Sequence, residues 1–285
     1  MITWLASYPR SGNTLMRTIF NACFGLRSYE LNQGPGLSPA ARKRIGHCDI
    51  TTAWADFYEE AKRSHENIII KTHNPPLDLL PAVYVIRDGR ASCYSYYRYH
   101  LSFQPELGRS LLQIIVGDDH YGNWSEHFRN WNKESRPVLL LRYENLIRPT
   151  DETLNSIAEF LDFRGKLSPW RNPFSELKEQ DPNFFRSGNS EWRSAPEWNR
   201  YVDKVFWLFH SELMHQMGYG EEDEPELGSD LANILKELGS IIRRQARKSR
   251  ELQRVCDERL DLINSLHDEA QKRLRIIEQL QSTRK

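Results

Sequence analysis

The chain has few features that would tie it to a disulfide-built, metal-built or membrane-spanning fold. Four cysteines stand among 285 residues, Cys23, Cys48, Cys93 and Cys256. None forms a CxxC pair, and Cys and His together make no zinc-ligand pattern, so no metal is expected. No apolar run approaches the roughly 20 residues that cross a bilayer. The opening Met1–Ser7 is too short, and lacks the basic start, for a signal peptide. Reduced thiols and a cytoplasmic location are therefore expected. An excess of charge is lacking as well. Lys+Arg and Asp+Glu stand at 39 each, so net charge points to neither nucleic acid nor membrane, and electrostatic partners must be read from local clusters. A Walker A loop is missing too, since GxxxxGK[ST] does not occur, which speaks against an ATP- or GTP-hydrolysing enzyme.

What is present divides at residue 220. Aromatics make up 11% of the chain and all lie before that point, as a packed body requires. Four short apolar runs, Ile2–Ser7, Asn67–Lys71, Val83–Ile86 and Val138–Leu141, do not alternate with polar residues. Strands buried on both faces have this pattern. Helical stretches are expected after Thr14 and over Ala91–His100, Trp124–Glu134, Asp151–Leu161 and Ala195–Met217. The alternation predicts a three-layer α/β domain with a mainly parallel sheet over 1–220. Trp124 and Trp131 share a helix face and are assigned to the core. An acidic, Pro-containing linker follows at 221–228.

Beyond it, 229–285 has no proline, one glycine and no aromatic. Leu231, Leu235, Leu238, Ile242, Leu252, Cys256, Ile263, Leu266, Ala270, Ile277 and Leu280 fall on one ladder of alternating three and four residues. Gln245, Ser249, Arg259 and Arg273 are its polar members. A ladder this long predicts a C-terminal α-helical coiled coil, and hence a homo-oligomer. The cations of 236–254 read first as a solvated helix face and secondly as a surface for anionic lipid.

The segment Tyr8-Pro9-Arg10-Ser11-Gly12-Asn13-Thr14 leaves a buried strand and opens a helix. Such a loop aims backbone N–H groups and the helix dipole at one point. Gly12 permits close approach, Ser11 and Thr14 add hydroxyls, and Arg10 adds full charge. By itself this is an anion cradle, and an ordinary Ser/Gly/Asn helix cap reads equally well.

Further segments occur in order: Lys71-Thr72-His73, Arg87-Asp88-Gly89-Arg90, Ser95-Tyr96-Tyr97, Arg142-Tyr143-Glu144 and Phe184-Phe185-Arg186-Ser187-Gly188. In this order and at similar spacing they resemble the cytosolic sulfotransferase family over roughly residues 1–220. The resemblance implies transfer of a sulfuryl group from 3′-phosphoadenosine 5′-phosphosulfate to an acceptor hydroxyl or amine. It implies a P-loop-like phosphosulfate loop at Arg10, Ser11, Gly12, Asn13 and Thr14. It also implies His73 as general base, with Arg87, Ser95, Arg186, Ser187 and Gly188 at the 3′-phosphate and Tyr143 on the adenine side. Arg10 and Lys71 would stabilise charge on the leaving phosphate.

The physics agrees with these roles. An imidazole of ordinary pKa near 6.5 can take a proton at neutral pH, and Arg forks suit a phosphate. The acceptor would be a small molecule, lipid or carbohydrate, bound by residues within 21–66 and 99–121. Two departures stand out. Arg10 replaces the family's Lys and cannot give up a proton. Leu15 replaces an aromatic that would stack on adenine, a role open to Trp54, Phe57 or Tyr58. A competing reading is a non-catalytic nucleotide-binding scaffold that works through the coiled coil.

Overall fold

The computed structural model describes residues 1–30, 37–182, 184–185, 191–220 and 229–282. They divide into two compact units, Met1–Leu227 and Gly228–Lys285. In chain order the first unit holds β1 (Ile2–Ala6), α1 (Asn13–Phe24), β2 (Ser28–Glu30), α2 (Pro39–Arg44), β3 (His47–Cys48), α3 (Trp54–Arg63), β4 (Ile68–Thr72), β5 (Ala82–Ile86), α4 (Gly89–Phe103), α5 (Leu111–Val116), α6 (Trp124–Trp131), β6 (Val138–Arg142), α7 (Tyr143–Leu146), α8 (Asp151–Phe160), α9 (Phe174–Gln180) and α10 (Arg200–Gln216).

The strands form one sheet in the order β3-β2-β4-β1-β5-β6, and every pairing is parallel. All strand C-termini therefore share one edge. Leu5, Ile69, Val83 and Val85 pack on one face with Met16, Ile19, Phe20 and Ile157 of α1 and α8. Trp4, Ile70, Tyr84 and Ile86 pack on the other with helices that include α4, α6 and α10. This is the expected three-layer arrangement. Trp124 and Trp131 are each 1% exposed, as core residues are.

The sequence expectation fails where a strand is short or lies at an edge. β2 and β3 have only three and two residues, too few to carry a pattern. β6 reads as apolar as β1 but, among the described residues, has only one partner, β5, and its Leu140 is 37% exposed. Helix ends move to where a cap is available. The helix expected from Ala195 begins at Arg200, because the Asn199 side chain accepts from the N–H groups of Tyr201 and Val202. The helix expected to reach Glu134 stops at Trp131.

The second unit is one helix, α11 (Ser229–Ser282), of 54 residues and so about 80 Å long. The acidic segment 221–228 lies outside the described residues. Among the described residues no helix is long and apolar enough to cross a membrane.

Candidate active site

The candidate residues gather at the C-terminal edge of the sheet, where β1, β4 and β5 lie side by side. In an open parallel sheet, ligands bind at this edge. The turn after β1 is tight. Arg10 and Gly12 both have positive φ, 64° and 109°. A Cβ on Gly12 would come within 2.6 Å of Cδ2 of Tyr143. Glycine is required there by both φ and space. The helix that follows, α1, has no side-chain cap and no acidic residue in its first turn, so its first N–H groups and dipole are available to an anion.

Asn13 is buried, and its amide donates to the Leu5 carbonyl (3.3 Å) and to Ser7 Oγ (3.2 Å). The side chain thus ties the loop to β1, leaving the backbone N–H as Asn13's contact for an anion. Ser11 Oγ lies 3.0 Å from Ser92 Oγ of α4, and Thr14 is the second residue of α1.

Residues distant in sequence converge around this turn. Arg10 Nε donates to Ser95 Oγ (3.3 Å), and its Nη2 donates to the Phe184 carbonyl (3.1 Å). The guanidinium also lies over the rings of Phe184 and Tyr99. Arg87 Nη1 donates to the Arg10 carbonyl (3.3 Å), and its guanidinium lies 4.4 Å over the Tyr143 ring. Gly12, Arg87 and Tyr143 therefore form one surface, which Arg10 and Ser95 extend. Asp88 does not pair with Arg87. It caps α4 and binds Arg90 instead. Arg186, Ser187 and Gly188 lie outside the described residues.

His73 follows β4. Its Nδ1 donates to the Ser7 carbonyl at 2.8 Å, which fixes the neutral tautomer with an unprotonated Nε2. Burial, reinforced by the Lys71 charge, pushes the imidazole well below its ordinary value. A second histidine holds the peptide. His127 Nε2 donates to the His73 carbonyl (2.8 Å), and Tyr84 Oη donates to His127 Nδ1 (2.8 Å). Burial brings His127 down to about 4, so this relay is neutral around pH 7.

Lys71 is less free than the sequence suggests. Its ammonium binds Glu30 Oε1 at 2.6 Å, while Glu30 Oε2 takes Arg17 Nη1 at 2.9 Å. Burial alone would raise the Glu30 pKa, but Lys71 and Arg17 together hold the carboxyl below its usual range. It is therefore ionised. An ammonium has three donors, so Lys71 keeps two after this bond. Tyr121 stands edge-on to His73 at 5.8 Å, and Tyr96, next to Tyr121, stacks with Tyr99.

Sequence reasoning gave no role to Glu30, Arg17, His127 or Tyr84. Glu30 ends a strand too short to detect. Arg17, 2% exposed, carries one sequence signal, a cation on the buried face of an apolar helix. Trp54, Phe57 and Tyr58 do not replace the missing aromatic at Leu15. They pack with the core on one face of the sheet, whereas Leu15 and Tyr143 pack on the other.

The model of the sulfotransferase domain family matches residues 2–203. The chain belongs to the sulfotransferase domain family. Sulfotransferase 1B1 of Mus musculus is 34% identical over 174 residues, which are 55% of this chain and 57% of that protein. The 3-alpha-hydroxysteroid sulfotransferase of Cavia porcellus is 28% identical over 186 residues, 59% of this chain and 60% of that protein. The chain thus spans less than two thirds of the length of these relatives. Among solved structures, mouse sulfotransferase SULT7A1 complexed with PAP aligns at a TM-score of 0.43 and 19% identity, over 83% of this chain and 88% of that one.

Proposed function

We propose that this sulfotransferase-domain protein moves a sulfuryl group from 3′-phosphoadenosine 5′-phosphosulfate to the hydroxyl or amine of a small-molecule acceptor. The observation that carries the reading is His73. It is a neutral imidazole, locked by Ser7 into the tautomer with an open Nε2, and it stands across the sheet edge from an uncapped helix N-terminus. Base and anion site follow neighbouring strands, β4 and β1, which supports a reading in which one bound donor reaches both.

The residues fit the donor. The N–H groups that open α1, with the Ser11 and Thr14 hydroxyls, would hold the 5′-phosphosulfate. Arg87 and Ser95, with the Arg186–Gly188 segment, would hold the 3′-phosphate. Tyr143, under Arg87 and against Gly12, would bound the adenine. The bound donor supplies a sulfuryl group activated by its link to a good phosphate leaving group. His73 Nε2 takes the acceptor proton. Arg10 and Lys71 supply positive charge where negative charge grows. Arg10 cannot deprotonate, so its role is electrostatic only. The acceptor would enter beside Tyr99 and Tyr121. We also propose that 229–285 forms a coiled coil that assembles the chain into a homo-oligomer.

Calorimetry with adenosine 3′,5′-bisphosphate tests the donor site, and absence of binding would refute it. Turnover with labelled donor then tests the base. His73→Ala should keep bisphosphate binding and lose about 10²–10⁴ in rate. A variant as fast as the parent protein would remove His73 from that role. Deleting residues 229–285 should lower the number of protomers per particle in light scattering, and an unchanged number would refute oligomerisation through the tail.

A further inference from the structure

Helix α11 presents Leu252, Ile263 and Leu266 on its seam at 58%, 60% and 56% exposure, with Leu262 beside them at 59%. Apolar side chains this exposed on an 80 Å helix need a partner. The charges along the helix come in blocks. Residues 243–254 carry Arg243, Arg244, Arg247, Lys248, Arg250 and Arg254 against Glu251 alone. Residues 257–269 carry Asp257, Glu258, Asp261, Asp268 and Glu269 against Arg259 alone. A strongly positive block is thus followed directly by a strongly negative one.

Orientation decides whether these blocks attract. In a parallel, in-register pair each residue meets its own copy. Arg259 and Arg273 are seam positions, so two layers would each hold a pair of like charges, and the 243–254 blocks would face each other. In an antiparallel pair a seam residue meets a different one. The alignment that sets Leu252 opposite Ile263 also sets Ser249 opposite Leu266, Arg259 opposite Cys256 and Arg273 opposite Ile242. No layer then contains two charges. The flanking row falls into place in the same alignment, Lys248 beside Glu269 and Val255 beside Leu262. The positive block of one copy lies along the negative block of the other.

From this charge and seam pattern we infer that α11 docks onto α11 of a second copy in the antiparallel direction, with the two-fold axis between residues 257 and 258. The inference rests on the proposed self-association of 229–285 and adds its partner and direction. A C2 contact of this kind makes every pair occur twice.

Two measurements on the full chain test it. In the first, a nitroxide is placed at exposed Ser240 (Ser240→Cys, with Cys48→Ser and Cys256→Ser), and the label–label distance is read by pulsed electron spin resonance. Ser240 lies opposite residue 275, so the antiparallel pair predicts about 50 Å from the helical rise. A parallel pair, with axes 8–10 Å apart, predicts less than about 30 Å. In the second, Lys248→Glu is compared with Lys248→Glu/Glu269→Lys by sedimentation. The single change should weaken association on the order of tenfold, since it turns two attractions into repulsions, and the swap should restore it. A monomeric parent chain would overturn both the self-association and the orientation. A dimer with the short distance, or a swap that fails to restore association, would overturn the antiparallel orientation and leave self-association standing.

Discussion

His127 gives a pH-dependent stability whose size can be worked out. It is 2% exposed and bonded on both ring nitrogens, to Tyr84 and to the His73 carbonyl. Burial lowers its pKa from 6.5 to about 4. The folded pKa lies below the unfolded one, so at pH values between them the unfolded chain binds the extra proton. This contribution is fully present above about pH 6.5, is lost as pH falls, and levels off below about pH 4. Linkage for one such site gives a loss of about 2 kcal/mol at pH 5 and about 3 kcal/mol at pH 4, relative to pH 8. The perturbation is His127→Gln, which keeps a donor and an acceptor but cannot titrate. Urea unfolding of both proteins at pH 8, 6 and 5 gives the result as a difference, which cancels the other histidines. The variant should be the less stable at pH 8, since one or both bonds lose geometry at about 1–3 kcal/mol each. By pH 5 its deficit should shrink by about 2 kcal/mol. Parallel curves for the two proteins would refute the neutral buried relay.

Two substitutions at the sheet edge follow from the same geometry. Gly12→Ala must adopt a φ of 109° with its Cβ 2.6 Å from the Tyr143 ring, so bisphosphate binding should weaken at least tenfold in calorimetry, while the thermal midpoint falls by only a few degrees. Glu30→Gln removes the partner of two buried cations, Lys71 and Arg17, and should destabilise by about 3–5 kcal/mol in denaturant. It should also move the acidic limb of the kcat/KM–pH profile to lower pH, because Lys71 uncompensated beside His73 disfavours the imidazolium. A destabilised variant with an unmoved limb would show that the Lys71 charge does not act on His73.

The sheet was legible because its central strands are buried on both faces. Ile68-Ile69-Ile70 and Val83-Tyr84-Val85-Ile86 are short and rich in β-branched residues, which favours strand over helix, and the segments between them carry caps and turns. The edges were not legible. Ser28-Tyr29-Glu30 and His47-Cys48 are strands only because β4 and β2 offer them backbone partners, and nothing in five such residues anticipates that. At the opposite edge, Val138–Leu141 has the composition of a buried strand in a position with one partner. Composition records what a segment tolerates, while the number of neighbours is set by the whole chain.

The candidate site divides in the same way. Arg10 and Gly12 could be named from the sequence because they stand in a polar loop between an apolar strand and a helix, and His73, Arg87 and Tyr143 because their segments resemble those of the sulfotransferase family. What those groups are able to do depends on partners that local sequence does not display. Lys71 looks like a free cation until Glu30, 41 residues earlier, takes one of its donors. His73 looks like any histidine of ordinary pKa until the Ser7 carbonyl, 66 residues earlier, chooses its tautomer. Its charge state is then set by burial and by Lys71, which in turn answers to Glu30. The site therefore works as one coupled set, in which Glu30 tunes Lys71, Lys71 tunes His73, and His127 holds the peptide that carries it. Charge that a sequence reading assigns residue by residue belongs, in the fold, to the whole cluster.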